Sequence, residues 1–107
     1  MRLREVGFSQ IDHAHDGQVA LDRITHGDYG LVVSDWALKS VNGLELLKAV
    51  RADPRTRSLP FVLMTDQIEI DMVIAARQAG VSGYLVKPFS EDLLKQKLTT
   101  ILDQSLS

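Results

Sequence analysis

The chain has 107 residues, fewer than the roughly 150 expected per domain, so a single domain spanning residues 1–107 is expected. Lys and Arg number 12 against 14 Asp and Glu, a net charge of −2; this leaves no basic footprint for nucleic acid. Zero cysteines exclude disulfides, thiolate zinc sites and a cysteine nucleophile, and 45% hydrophobic content argues against disorder. No apolar run approaches the ~20 residues of a membrane helix, and the opening Met-Arg-Leu-Arg-Glu lacks a signal peptide's apolar stretch, which reads as a cytoplasmic protein.

Residues 1–7 read as the end of a helix. Gln10 to Asp16 alternates weakly and suits an edge strand ending at Asp16-Gly17. A helix then runs to about Thr25, with Ala20, Leu21 and Ile24 at helical spacing and His26-Gly27 as its stop. Leu31-Val32-Val33 is a β-branched run ending in Ser34-Asp35, the pattern of a buried parallel strand with a carboxylate at its C-terminal end. Leu44, Leu47 and Val50 line a helix that stops near Ala52-Asp53-Pro54. Phe61-Val62-Leu63-Met64 repeats the strand pattern up to Thr65, and Ile70, Val73 and Ile74 mark a helix closed by Ala79-Gly80. Gly83-Tyr84-Leu85-Val86 is the last strand, ending at Lys87-Pro88. Ser90 is then the N-cap of a final helix with Leu94, Leu98, Ile101 and Leu102 on its core face.

This alternation of strands and helices is an α/β pattern. Right-handed crossovers between parallel strands place helices on both faces, giving a doubly wound parallel sheet. In such sheets the ligand site lies at the carboxyl ends of the strands, which selects Asp35, Thr65 and Lys87. A carboxylate, a hydroxyl and an ammonium at one sheet edge suit phosphoryl chemistry: Asp35 as nucleophile forming an acyl phosphate, Lys87 neutralising one phosphoryl oxygen, Thr65 donating to another. Taken one at a time the three have plainer readings, as a turn residue, a packed strand residue and a surface lysine. Mg²⁺ would ordinarily cover the remaining charge, but one carboxylate with one backbone carbonyl is a poor site by itself.

The segment Val33-Ser34-Asp35-Trp36 with Asn42-Gly43-Leu44-Glu45-Leu46-Leu47-Lys48, and the block Ala75 to Phe89 ending in Tyr84-Leu85-Val86-Lys87-Pro88-Phe89, resemble the receiver domain of two-component response regulators, especially the single-domain chemotaxis type. The resemblance covers essentially the whole chain and implies the flavodoxin-like receiver fold. It implies that Asp35 accepts phosphate from a sensor histidine kinase or phosphotransfer protein, that Thr65 and Lys87 contact that phosphate, that Asp35 and the Ala37 carbonyl contribute to a Mg²⁺ site, and that the Lys87-Pro88 peptide is cis. It also implies that Tyr84 is a switch aromatic moving inward as Thr65 is drawn to the phosphoryl group; the plainer reading is a half-buried tyrosine with its hydroxyl in water. Trp36, beside Asp35, is a natural fluorescence reporter, or simply caps the sheet edge.

The sequence also departs from the family. The opening strand with its paired acids is absent and Met1 enters near the end of the following helix, a deficit of about 20 residues. The expected fold is therefore an N-terminally truncated receiver without its first, central strand, with weakened Mg²⁺ binding and a homodimer, through strand exchange or edge pairing, as a rescue. Leu38-Lys39 replaces the common Met-Pro, and Asp66 follows Thr65 where a small residue is usual; Asp66 either repels phosphate, lends a metal a substitute oxygen, or is an exposed helix-start acid. His13 and His15 share a strand face but lack a third ligand, and His26 is a helix-end residue.

Signalling by contact with a downstream protein is expected, without nucleic acid, membrane or a separate catalytic output. The alternative is a phosphorylation-impaired pseudo-receiver acting only as an interaction module. A flavin or nucleotide binder is disfavoured because no glycine-rich phosphate loop follows any strand.

Overall fold

Apolar runs become strands here because both of their faces are covered. The computed structural model describes residues 16–106 apart from 28, 39 and 68, without the side chains of 104–106. In it the strands are β1 (Val32–Asp35), β2 (Phe61–Thr65) and β3 (Gly83–Val86). They form a parallel sheet in the order β1-β2-β3, with Asp35 opposite Met64 and Met64 opposite Leu85. All five residues of β2 are buried, as its central place in this sheet requires. Leu31 precedes β1 rather than opening it. The strand expected at Gln10–Asp16 lies outside the described residues except for Asp16, and the expected helix end at residues 1–7 lies outside them entirely, as do His13, His15 and Lys39.

Among the described residues four helices surround the sheet: α1 (Gly17–His26), α2 (Gly43–Ala52), α3 (Ile70–Gln78) and α4 (Glu91–Leu106). Their ends follow local chemistry. Asp16, in extended backbone, caps α1, accepting from the Gln18 and Val19 amides. Asn42 and Glu45 form a reciprocal capping box at α2, and the Ser90 hydroxyl accepts from the Leu93 amide at 3.0 Å to start α4. Beyond α3, Gly80 adopts φ +89°, a left-handed turn open to glycine, so that the Val81 amide reaches back to the Ala76 carbonyl at 3.1 Å.

Side-chain alternation divides the interior in two. On one side of the sheet Phe61 and Leu63 of β2 meet Ile24 of α1, Leu46, Leu47 and Val50 of α2, and Ala76 of α3, with Trp36 and Tyr84 packed against them. On the other, Val62, Met64 and Leu85 meet Leu94, Leu98 and Ile101 of α4, with Leu31, Val33 and Phe89 alongside. Helices on both faces make this the doubly wound arrangement expected from the sequence.

Candidate functional site

The alternation that builds the two cores also sorts the strand-end residues. Asp35 lies two positions after Val33, and Lys87 two after Leu85, so both follow the parity of the face that α4 covers. Thr65 lies two positions after Leu63 and follows the opposite face, that of Tyr84. Accordingly Asp35 and Lys87 meet in a direct ion pair, with side chains 43% and 42% exposed, spanning the sheet from β1 to just beyond β3. They line a cavity of about 400 Å³ together with Met64, Pro88 and Phe89. The Lys87-Pro88 peptide is cis, as expected, and Pro88 and Phe89 form one wall of that cavity.

Thr65 is buried at the end of β2, between the strands that carry the pair. Its Oγ1 accepts from the Gln67 amide at 3.2 Å, and its carbonyl accepts from the Lys87 amide at 2.7 Å. Thr65 thus holds the Lys87 backbone in place, while its hydroxyl hydrogen-bonds neither Asp35 nor Lys87.

Tyr84 points into the protein. Its ring meets Trp36 edge to face, with centroids 6.4 Å apart and planes at 70°. Its hydroxyl is buried with no hydrogen-bond partner, which corrects the expectation of a hydroxyl in water. Burial pushes the phenol above its usual range; the nearby Thr65 hydroxyl opposes that rise, though not in hydrogen-bond geometry, and the Glu69 carboxylate adds to it. Trp36 packs against this core rather than only covering the sheet edge. Asp66 and the Ala37 residue are exposed.

Among the described residues no group of three or more His, Asp or Glu side chains converges, and Asp35 is the one carboxylate lining the cavity, already engaged by Lys87. Mg²⁺ held by protein typically draws on one or two carboxylates and several waters. Of the donors expected for Mg²⁺, Asp35 lines the cavity, while the residues Ala37 and Asp66 are exposed. Sequence reasoning missed Met64 and Phe89 as cavity walls; the strand parity shared by Met64 and Asp35 was the available signal.

The sequence profile of the response regulator receiver domain matches residues 1–99. The chain belongs to that family. This receiver is 41% identical to the chemotaxis protein CheY of Pseudomonas aeruginosa over 102 residues, which are 95% of this chain and 82% of that protein. Its structure resembles that of a response regulator of Chloroflexus aurantiacus at a TM-score of 0.87 and 34% identity, covering 94% of this chain and 82% of the other. It also resembles the receiver domain of a sensor histidine kinase from Pseudomonas aeruginosa PAO1, which has a magnesium ion coordinated in its active-site cleft. That match has a TM-score of 0.77 and 25% identity, covering 97% of this chain and 81% of the other. The receiver is a signalling domain of two-component systems, and among its described residues no helix is long and apolar enough to cross a membrane.

Proposed function

We propose that this receiver accepts a phosphoryl group on Asp35 from a sensor histidine kinase or phosphotransfer protein, and signals in the cytoplasm by contact with a downstream protein. The observation that carries this reading is the half-exposed Asp35–Lys87 pair opening onto a cavity at the carboxyl ends of the strands. A carboxylate oxygen of Asp35 attacks phosphorus as the bond from phosphorus to the donor's imidazole nitrogen breaks, leaving an acyl phosphate and a free imidazole. Lys87 leaves the carboxylate for a phosphoryl oxygen, carrying its positive charge to where negative charge gathers. The Thr65 hydroxyl, which accepts from the Gln67 amide, keeps its own proton to donate. Tyr84 is the switch aromatic of this reading, and its ring already lies inward against Trp36 before any phosphoryl group arrives.

Incubation with a small acyl phosphate and Mg²⁺, read by intact mass, tests the reading. A labile adduct of one phosphoryl group, absent from Asp35→Asn, is expected; no adduct on the wild-type chain would overturn it. A second reading is favoured by the single carboxylate that the described residues bring to the cavity: a receiver with weakened Mg²⁺ binding that acts as an interaction module. It predicts partner binding unaltered by Asp35→Asn. A homodimer through paired sheet edges belongs to this proposal as well, and the solution mass checks it.

A further inference from the structure

The segment from Asp35 to α2 is fastened at two places. Its inner end is held by backbone: the Trp36 amide donates to the Met64 carbonyl at 2.8 Å, and the Trp36 carbonyl accepts from the Gly43 amide at 2.8 Å and the Leu38 amide at 3.2 Å. Its outer end is held by a side chain from elsewhere. The Ser40 hydroxyl donates to Oδ2 of Asp16 at 2.7 Å, across 24 positions of sequence. The other oxygen of that carboxylate, Oδ1, accepts from the Gln18 and Val19 amides at 2.8 and 3.4 Å. One carboxylate therefore joins the start of α1 to the loop behind Asp35.

Two further observations show that capping alone does not explain the arrangement. Ser40 adopts φ +68°, a left-handed backbone that a serine keeps only where its surroundings hold it. At Gly17 an added Cβ would lie 1.8 Å from the Val41 carbonyl oxygen, so the loop rests directly on the backbone of α1. Helix capping requires neither a strained partner residue nor a bare backbone beneath it.

We infer that Asp16 is a positioning residue for phosphoryl transfer at Asp35, acting through the Ser40 hydroxyl; this rests on the reading of Asp35 as phosphoacceptor. The Trp36 to Val41 loop continues directly from the reacting carboxylate, and displacement of a reacting group by ~1 Å costs on the order of a hundredfold in rate. With the backbone bonds at Trp36 still in place, losing the outer tether costs less, on the order of tenfold.

The test uses the full chain and four variants. Ser40→Gly removes the hydroxyl and relieves the left-handed backbone. Asp16→Ser keeps a good helix cap but cannot serve both partners. The double variant closes a cycle, and Ser40→Asn restores a donor in a residue that tolerates positive φ. With a small acyl phosphate as donor, the rate at saturation falls on the order of tenfold in Ser40→Gly and in Asp16→Ser, and no further in the double variant that combines them. Half-saturation stays unchanged, and Ser40→Asn recovers the rate. Amide exchange quickens at Leu38 and Gly43, while Ala20, bonded to the Asp16 carbonyl inside α1, is unaffected. Additive losses, or a Ser40→Gly rate equal to wild type, overturn the positioning role. Unchanged exchange at Leu38 and Gly43 overturns the tether itself. A wild-type chain that takes no phosphate overturns the reading at Asp35, and the role falls with it.

Discussion

The two ends of the sheet spend their polar groups differently. At the amino ends of β2 and β3, Arg51 donates to the Leu59 carbonyl at 2.6 Å, the Gly80 carbonyl at 2.9 Å and the Ser82 hydroxyl at 3.4 Å. Ser82 in turn accepts from the Phe61 amide at 3.0 Å, so one guanidinium ties together α2, the approach to β2 and the approach to β3. At the carboxyl ends, the side chains of Asp35 and Lys87 pair with each other and remain nearly half exposed, and the Tyr84 hydroxyl is buried without a partner among the described residues. One end is satisfied backbone and the other is unspent chemistry. Stability is therefore expected to reside at the amino end and reactivity at the carboxyl end, a division that single substitutions can break or sharpen.

The largest effect belongs to Phe61, the fully buried first residue of β2. Phe61→Ala leaves a cavity against α2 and α3 and is expected to cost about 3–5 kcal/mol, read from denaturant midpoints. That is comparable to the whole stability of a small domain. Arg51→Ala comes next. Burial already presses the guanidinium below its usual range, yet it stays charged, and its removal strips the Leu59 and Gly80 carbonyls of a charged donor. A loss of about 2 kcal/mol is expected, and Arg51→Lys recovers little because an ammonium lacks the fork that spans three acceptors. A loss under about 0.5 kcal/mol would erase the contrast between the two ends.

Much of this division was legible in the sequence. The β-branched and apolar runs gave the strands, their last residues gave Asp35, Thr65 and Lys87, and the Ser90 cap followed from residue type and spacing, whereas the Asn42 cap emerged only with the structure. Parity along a strand is also readable, and it explains why Asp35 meets Lys87 while Thr65 turns to the opposite face. The Arg51 staple was not legible, because its acceptors are backbone carbonyls whose position depends on how two loops fold. The link between Asp16 and Ser40 hid for a related reason: Asp16-Gly17 reads locally as a turn, and nothing near Ser40 announces a partner 24 residues away. The direction of Tyr84 depends on the packing of Trp36, which periodicity does not encode.

Tyr84→Phe sharpens the comparison from the other side. It deletes a buried hydroxyl that makes no hydrogen bond, so stability is expected to stay level or rise by up to about 1 kcal/mol near neutral pH. Alkaline titration gives the sign independently. The folded phenol titrates above its ordinary 10.0, chiefly because burial disfavours the phenolate. Its contribution is fully present below pH 10 and is lost as the pH rises from there through the raised folded value, since the unfolded chain ionises first. Wild type is expected to lose stability over that window more steeply than Tyr84→Phe, measured by denaturant unfolding at a series of pH values. Equal slopes would mean that the hydroxyl is solvated.

The smallest effect on stability is expected where the effect on chemistry is greatest. Asp35→Asn removes one partner of an ion pair whose side chains are 43% and 42% exposed. Water takes up the freed Lys87 ammonium, and pairs of this exposure contribute about 0–1 kcal/mol. The unfolding midpoint is therefore expected to move little while the phosphoryl adduct disappears. The same argument applies to Lys87→Met from the opposite charge: the hydrated carboxylate that it leaves is tolerated, and the transferred group loses its counter-charge. A destabilisation by either variant as large as that of Arg51→Ala would show that the Asp35–Lys87 pair braces β1 against β3, and that the carboxyl end of the sheet is structural after all.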